Sequence, residues 1–362
     1  MLFTVSALIV TISAISASLW KLRQMRRRVD TSPGRETPEC LPVDVNAWRD
    51  SAEPLPDAFP LTLDDRPASD RTVLLGRGIV NREMTQTRPD ATVGAHEDVT
   101  LDFADTPHGL VLGNAGSGKT SLCESALAQW LAAGNLGVVV NNRPVEYAAF
   151  EGTTGVLAVA RDTASAEVAI SDVRDEMLDR YERCRDAGVV NYADIPGDQP
   201  LKPLLLIVDP VMEFLGQEKV ADADADVIGR NEAARRMLDN VAHIIRLGRA
   251  VGVHVLLPCT RADSDDFVYG ENERGVRYDL RNSFEARVLL GPADDTGRGM
   301  AGFLKSGAKA TPGIRGRGLY GRVGAAPQEV QFAYLQARYE AGEDAETASV
   351  SPRTYPAKEV QQ

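Results

Sequence analysis

Apolar positions along this chain follow two rhythms. Short, largely apolar runs stand at Leu110–Leu112, Gly137–Asn141, Val156–Ala160, Leu204–Val208, Val251–Pro258 and Glu285–Gly291. Runs of that length, bounded by polar or glycine-containing segments, predict strands buried on both faces. Between them, apolar residues recur at helical spacing. Leu122, Ala126, Leu127 and Trp130 mark one helix, Ala166 to Gly188 a long amphipathic one closed by its glycine, and about 231–251 a third rich in Ala, Arg and Leu. Strand and helix in alternation predict an α/β domain over residues 72–335, its mainly parallel sheet covered on both faces.

The first 71 residues break this pattern. Leu2 to Trp20 carries no charge across 19 residues. As a helix it spans roughly 28 Å, close to the hydrocarbon thickness of a bilayer. Lys21 to Arg28 follows with five basic residues in eight. No basic residue precedes the apolar run, unlike a cleaved signal peptide, and the positive-inside rule puts the following chain in the cytoplasm. Residues 1–28 therefore predict a single-pass anchor in the cell membrane. Residues 29–71 are polar and proline-rich without sustained periodicity, and read as an irregular linker. Residues 336–362 read as a polar tail.

The chemistry begins at GNAGSGKT, Gly113 to Thr120, a complete G-x-x-x-x-G-K-T between a strand and a helix. Glycines let backbone N–H groups curl round phosphate oxygens, and the helix N-terminus adds its positive dipole end. Gly113, Asn114, Ala115, Gly116, Ser117, Gly118, Lys119, Thr120 and Ser121 are the expected ATP contacts. Lys119 reaches the β- and γ-phosphates, and the Thr120 hydroxyl serves Mg²⁺. The run Leu204–Val208 ends in Asp209, the second expected Mg²⁺ ligand.

Several collinear segments resemble the FtsK/SpoIIIE group of additional-strand P-loop ATPases, with a RecA-like fold. LGRGI from Leu75 is similar to that group's "LG+D" entry. NNRPVEYAAFEG from Asn141 resembles "DPKxxEL..YEG". RDEMLDRYERCRDAGVVNY from Arg174 resembles "xxEMexRYelfaxxGvRNi", RLGRAVGVHVLLPCTRAD from Arg246 resembles "xxGRAaGIHLvlaTQRPs", and RGRGLYG from Arg315 resembles "GRGxxl". The resemblance implies a membrane-anchored ATPase that pumps double-stranded DNA through a ring, a homo-hexamer. It puts Arg249, Gly252 and His254 in the framework beside the nucleotide. Thr260 stands where the group has a γ-phosphate-sensing Gln, Asn141 replaces an Asp, and Arg143 falls near its Lys. An arginine finger is expected from a neighbouring subunit, with Arg287 and Arg298 as candidates.

One departure stands out. The group has Glu after the Walker B Asp, and this chain has Pro210, which has no proton acceptor. Either Glu213 or another carboxylate positions the attacking water, or the protein hydrolyses slowly or binds ATP only to assemble or gate. Proline is favoured at the first helical position, so a helix is expected to start at Pro210.

Charge adds a constraint. With 40 basic and 52 acidic residues the net charge is −12, so any nucleic-acid contact must be local. The acid-free stretch Gly297–Arg322 carries Arg298, Lys305, Lys309, Arg315, Arg317 and Arg322, a candidate phosphate-contacting surface. The acidic segments Ala221–Asp226 and Asp263–Glu273 read as outward loops. Four scattered cysteines without CxxC spacing argue against a zinc site or disulfide framework, and four scattered histidines against a metal cluster. About 40 residues follow RGRGLYG, too few for the winged-helix domain that orients chromosomal members, so a plasmid, conjugative-element or phage-type transfer protein is expected. Two rivals remain: a type VII-like protein-moving ATPase, which usually carries tandem modules, and a nucleotide-gated coupling or scaffold protein.

Overall fold

The computed structural model describes residues 54–335, apart from 82–83, 87, 89, 198–200, 218–224, 261–267, 270–277, 293, 304–307, 309 and 324. The expected anchor at 2–20, its basic flank, linker residues 29–53, most of the two acidic segments, Lys305, Lys309 and the tail 336–362 lie outside the described residues. Among the described residues no helix is long and apolar enough to cross a membrane.

In chain order the strands are β1 (Pro60–Leu61), β2 (Thr72–Ile79), β3 (His96–Asp102), β4 (His108–Gly113), β5 (Leu136–Val140), β6 (Val156–Ala160) and β7 (Leu204–Val208). They continue with β8 (Val253–Cys259), β9 (Val268–Tyr269), β10 (Tyr278–Asp279), β11 (Ala286–Leu290), β12 (Arg317–Arg322), β13 (Gln328–Phe332) and β14 (Tyr334–Leu335). The helices are α1 (Lys119–Ala132), α2 (Thr163–Ala187), α3 (Val211–Leu215), α4 (Ala225–Leu247) and α5 (Asp295–Met300).

One ten-stranded sheet has the order β3-β2-β13-β12-β11-β4-β8-β7-β5-β6. From β11 to β6 every neighbouring pair is parallel. This half is built from the apolar runs that predicted it; β7 and β8 are buried at every position. β8 lies between β4 and β7, the additional strand of the resemblance. The other half, from β11 through β12, β13 and β2 to β3, is antiparallel and was not anticipated.

Helices cover both faces of the parallel half. α1 packs one face through Leu122, Leu127 and Trp130, in a cluster with Val139 and Ile207. α2 and α4 pack the other through Ile170, Met177, Met237 and Ile244, with Leu206 and Val255. Asp162 caps α2 by accepting the Ser165 N–H at 2.8 Å, and Gly188 ends it in the left-handed region at φ 69°.

Residues 54–71, read as part of the linker, lie on the domain instead. Leu55 and Leu61 are buried, and β1 pairs in parallel with β14. Arg317 fastens this strap by donating to the Pro56 carbonyl at 2.8 Å and the Leu55 carbonyl at 3.3 Å. Proline-rich composition hid the segment because its two-residue strand leaves no alternation to read.

Candidate nucleotide site

At the C-terminal ends of β4, β7 and β8 the chain encloses a cavity of about 880 Å³. Parallel strands deliver their following loops to the same edge, which is where open α/β sheets place ligands. Ala115 to Ser121, Asp209 and Thr260 all line it. The phosphate loop turns through Gly116 at φ 76° and Gly118 at φ 104°, conformations that side chains with a Cβ rarely adopt. Gly118 then caps α1, a helix of 14 residues whose N-terminal N–H groups face the cavity edge. Lys119 Nζ donates to the carbonyls of Gly113 at 2.8 Å and Asn114 at 2.9 Å, bracing the loop. Burial holds the Lys119 ammonium below its usual range, and the Asp209 charge opposes that shift.

Asp209 is 3% exposed. Burial pushes its carboxyl up, and hydrogen bonds from Thr120 and Tyr147 pull it back. The Tyr147 hydroxyl donates to Asp209 Oδ2 at 2.9 Å, and burial holds that phenol well above its ordinary range. Tyr147 sits at φ 57°, and its N–H donates to Glu124 Oε1 at 3.0 Å. Asn141, fully buried after β5, donates from Nδ2 to the Asp209 carbonyl at 2.6 Å and to Glu146 Oε2 at 3.0 Å. Arg143 Nη1 donates to Glu146 Oε1 at 3.0 Å. Arg161, just past β6, fixes this loop: its Nη1 donates to the Arg143 carbonyl at 2.7 Å, the Glu146 carbonyl at 2.8 Å and Asn141 Oδ1 at 3.0 Å.

Other expected site residues fall elsewhere. Glu213 lies in the first turn of α3, 47% exposed, where Asn142 Nδ2 donates to it and Arg143 approaches at 3.9 Å; it does not line the cavity. α3 starts at Val211, with Pro210 as its extended cap at ψ 138° rather than its first residue; the Asp209–Pro210 peptide is cis. The Arg287 guanidinium donates to the carbonyls of Arg281, Phe284 and Ala301 within its own chain. Arg298 is engaged by Asp295 and the Ala308 carbonyl. Each arginine is thus held within its own chain, Arg287 by three backbone carbonyls and Arg298 by one carbonyl and a carboxylate.

His254 is a core residue near the N-terminal end of β8, the edge opposite the cavity. It packs against Phe103 and Trp130, with Nδ1 3.1 Å from the Pro107 carbonyl. Burial pushes His254 and the adjacent His108 down to about 3. The acid-free stretch does not form one basic surface among its described residues. Arg317 is 3% exposed and paired with Glu329 at 3.5 Å, Arg322 binds Asp105 at 2.6 Å, and Arg315 lines the nucleotide cavity.

Sequence reasoning gave no role to Tyr147, Glu124, Glu146 or Arg161. For Tyr147 and Glu146 the one signal was the NNRPVEY segment, whose glutamate lies within the matched pattern; Glu124 and Arg161 lie outside it. The strap also reaches the cavity, with Asp57 and Ala58 lining it beside Tyr334 and Leu335.

No family model matches the chain. The DNA translocase FtsK of Mycobacterium tuberculosis H37Rv is 24% identical over 312 residues, which cover 79% of this chain and 37% of that protein. The DNA translocase SftA of Bacillus subtilis is 24% identical over 229 residues, covering 58% of this chain and 22% of its own. The chain thus spans little more than a third of the FtsK relative. Among solved structures, the pCW3 conjugation coupling protein TcpA, determined with ATPγS, superposes with a TM-score of 0.62 at 19% identity, covering 79% of this chain and 72% of TcpA. EssC ATPases 2 and 3 from Geobacillus thermodenitrificans give 0.56 at 15% identity, covering 78% of this chain and 48% of EssC. The matches to DNA translocases bear out the resemblance to the FtsK/SpoIIIE group, and the structural matches share the P-loop α/β fold.

Proposed function

We propose that this protein is an ATPase that moves double-stranded DNA, acting as a ring of identical subunits in DNA transfer or conjugation, with residues 2–20 as its membrane anchor. The observation that carries the reading is the convergence of a complete phosphate loop, Thr120 and Asp209 on one cavity at the C-terminal edge of a parallel sheet. The names of the sequence relatives supply the cargo.

Each part then has a task. Loop N–H groups and the α1 N-terminus hold the phosphates, and Lys119 meets the β- and γ-oxygens. Among the described residues no three His, Cys, Asp or Glu side chains group into a resident metal site. Mg²⁺ that arrives with a nucleotide keeps phosphate oxygens and water and needs only one or two protein ligands. Thr120 and Asp209 are the oxygens that would hold it. Bound there, it would supply charge neutralisation on the phosphates. Thr260, at the end of β8, faces the cavity with a hydroxyl able to report the γ-phosphate.

The test is ATP turnover by the full chain with and without long duplex DNA, beside Lys119→Ala. Turnover that DNA raises and the substitution abolishes is expected. Binding of ATP without turnover would replace the motor by a nucleotide-gated coupling protein. A second reading, a protein-moving ATPase, is favoured by the 28% identity over 210 residues to the ESX secretion system protein EccC of Thermomonospora curvata. Turnover indifferent to DNA but raised by a secretion-signal peptide would select it.

A further inference from the structure

We infer that Glu146 is the carboxylate that positions and deprotonates the attacking water, in place of an acid after Asp209. The inference rests on the ATPase reading above. β5 is hydrogen-bonded to β7 with Val140 opposite Val208, so the loop leaving β5 rises beside Asp209. Asn141 Nδ2 joins the two, reaching Glu146 Oε2 at 3.0 Å and the Asp209 carbonyl at 2.6 Å. Glu146 lines the same cavity as Lys119, Thr120 and Pro210, with its side chain 18% exposed. Water and a γ-phosphate can therefore reach it, while bulk solvent is largely held off.

Elimination points to the same group. Among the described residues, Asp57, Glu124, Glu146 and Asp209 are the acids that line the cavity. Asp209 is engaged by Thr120 and Tyr147, the arrangement suited to a metal ligand. Glu124 is 3% exposed and accepts the Tyr147 N–H. Asp57 belongs to the strap, 87% exposed and 4.0 Å from Arg317. Glu146 accepts one hydrogen bond on each oxygen, from Asn141 and Arg143, and each oxygen keeps a further lone pair for water. Arg161 holds the Glu146 carbonyl at 2.8 Å, so the carboxylate is set in place before substrate arrives.

The step balances without another reactant. The water oxygen forms a bond to the γ-phosphorus as the bond from that phosphorus to the β–γ bridging oxygen breaks. The bridging oxygen leaves with its electron pair on ADP. Glu146 accepts the water proton and returns it to the phosphate product.

The experiment measures steady-state turnover and binding of a fluorescent ATP analogue by the full chain, wild type beside Glu146→Gln, Glu146→Asp and Glu213→Gln. The inference expects Glu146→Gln to lower kcat by about 10²–10⁴-fold while binding stays within about threefold of wild type, because a base acts in the transition state and not in ground-state binding. Glu146→Asp, which keeps the carboxylate, should recover part of the loss. Wild-type turnover in Glu146→Gln overturns the inference, as does a loss confined to Glu213→Gln. A Glu146→Gln protein that loses binding and turnover together also overturns it, since the residue is then structural. A wild type that binds ATP without turnover defeats the ATPase reading itself, and is told apart by needing no variant.

Discussion

Removing one oxygen atom, in Tyr147→Phe, tests how the site holds Asp209. Tyr147 is fully buried and occupies the left-handed region at φ 57° and ψ 7°, where a non-glycine residue is uncommon. Two tethers keep it there: its N–H on Glu124 and its hydroxyl on Asp209 Oδ2 at 2.9 Å. A hydrogen bond to a charged acceptor contributes about 1.5–3 kcal/mol, so Phe should lower unfolding stability by about 2 kcal/mol. The effect on the site has a definite sign. Burial already raises the Asp209 pKa, and the Tyr147 hydroxyl is among the groups that lower it. Without that hydroxyl the carboxyl rises further and is less ionised at a given pH. Mg²⁺-dependent ATP binding should then weaken by about 10–100-fold, the usual cost of losing a group that orients a metal ligand, and most at the acidic end. Mg²⁺ titrations of ATP binding from pH 6 to 8 read this directly. A variant that loses stability but keeps the wild-type Mg²⁺ requirement at every pH would refute the reasoning, and reduce Tyr147 to a core filler.

Three further outcomes are expected. His108 and His254, both at about 3 when folded against 6.5 in the reference state, make stability complete above about pH 6.5 and erode it as pH falls toward 3. Each contributes up to about 1.4 kcal/mol per pH unit across that window, so the urea midpoint should drop between pH 7 and 5; a flat midpoint contradicts the burial argument. Arg317→Met leaves the buried Glu329 without its cation and unfastens the strap, which should cost about 3–5 kcal/mol and speed proteolysis within 54–61; unchanged cleavage would show that the strap holds without it. Gly252 sits at φ 67° with the Tyr192 ring 2.5 Å from where a Cβ would stand, so Gly252→Ala should lower the melting temperature by several degrees, about 1–3 kcal/mol, and an unchanged melting curve would count against the contact.

The parallel half of the sheet was legible because burial on both faces writes an unbroken apolar run. β7 and β8 are buried at every position. The antiparallel half was not, because its strands mix polar and apolar positions and close over long separations. β12 begins with Arg317, whose charge reads as surface and is buried only because Glu329, Gln331 and the strap carbonyls surround it. The phosphate loop was legible because its parts are contiguous. Glu213 and Arg287 were chosen by spacing and resemblance, which do not record that other groups in the chain hold them. Tyr147 and Glu146 were missed for the converse reason: their importance depends on β5 lying next to β7, and strand order is not written in a single run of residues.

That strand order also explains how the site accommodates Pro210. Along the sheet the sequence is β4, β8, β7, β5, β6, so Asp209 stands between the phosphate loop on one side and the 141–147 loop on the other. Pro210 carries the chain away from β7 in an extended conformation and delays α3 to Val211, which leaves Glu213 outside the cavity. A carboxylate cannot then come from the strand end itself. It can come from the next strand, because three side chains of the β5 loop already meet around Asp209: Asn141 on its carbonyl, Tyr147 on its carboxylate, and Glu146 through Asn141. Arg161 ties that loop to β6. The metal ligand and the base therefore share one rigid support built from three adjacent parallel strands, and a base carried on β5 meets the positional demand that Pro210 leaves open on β7.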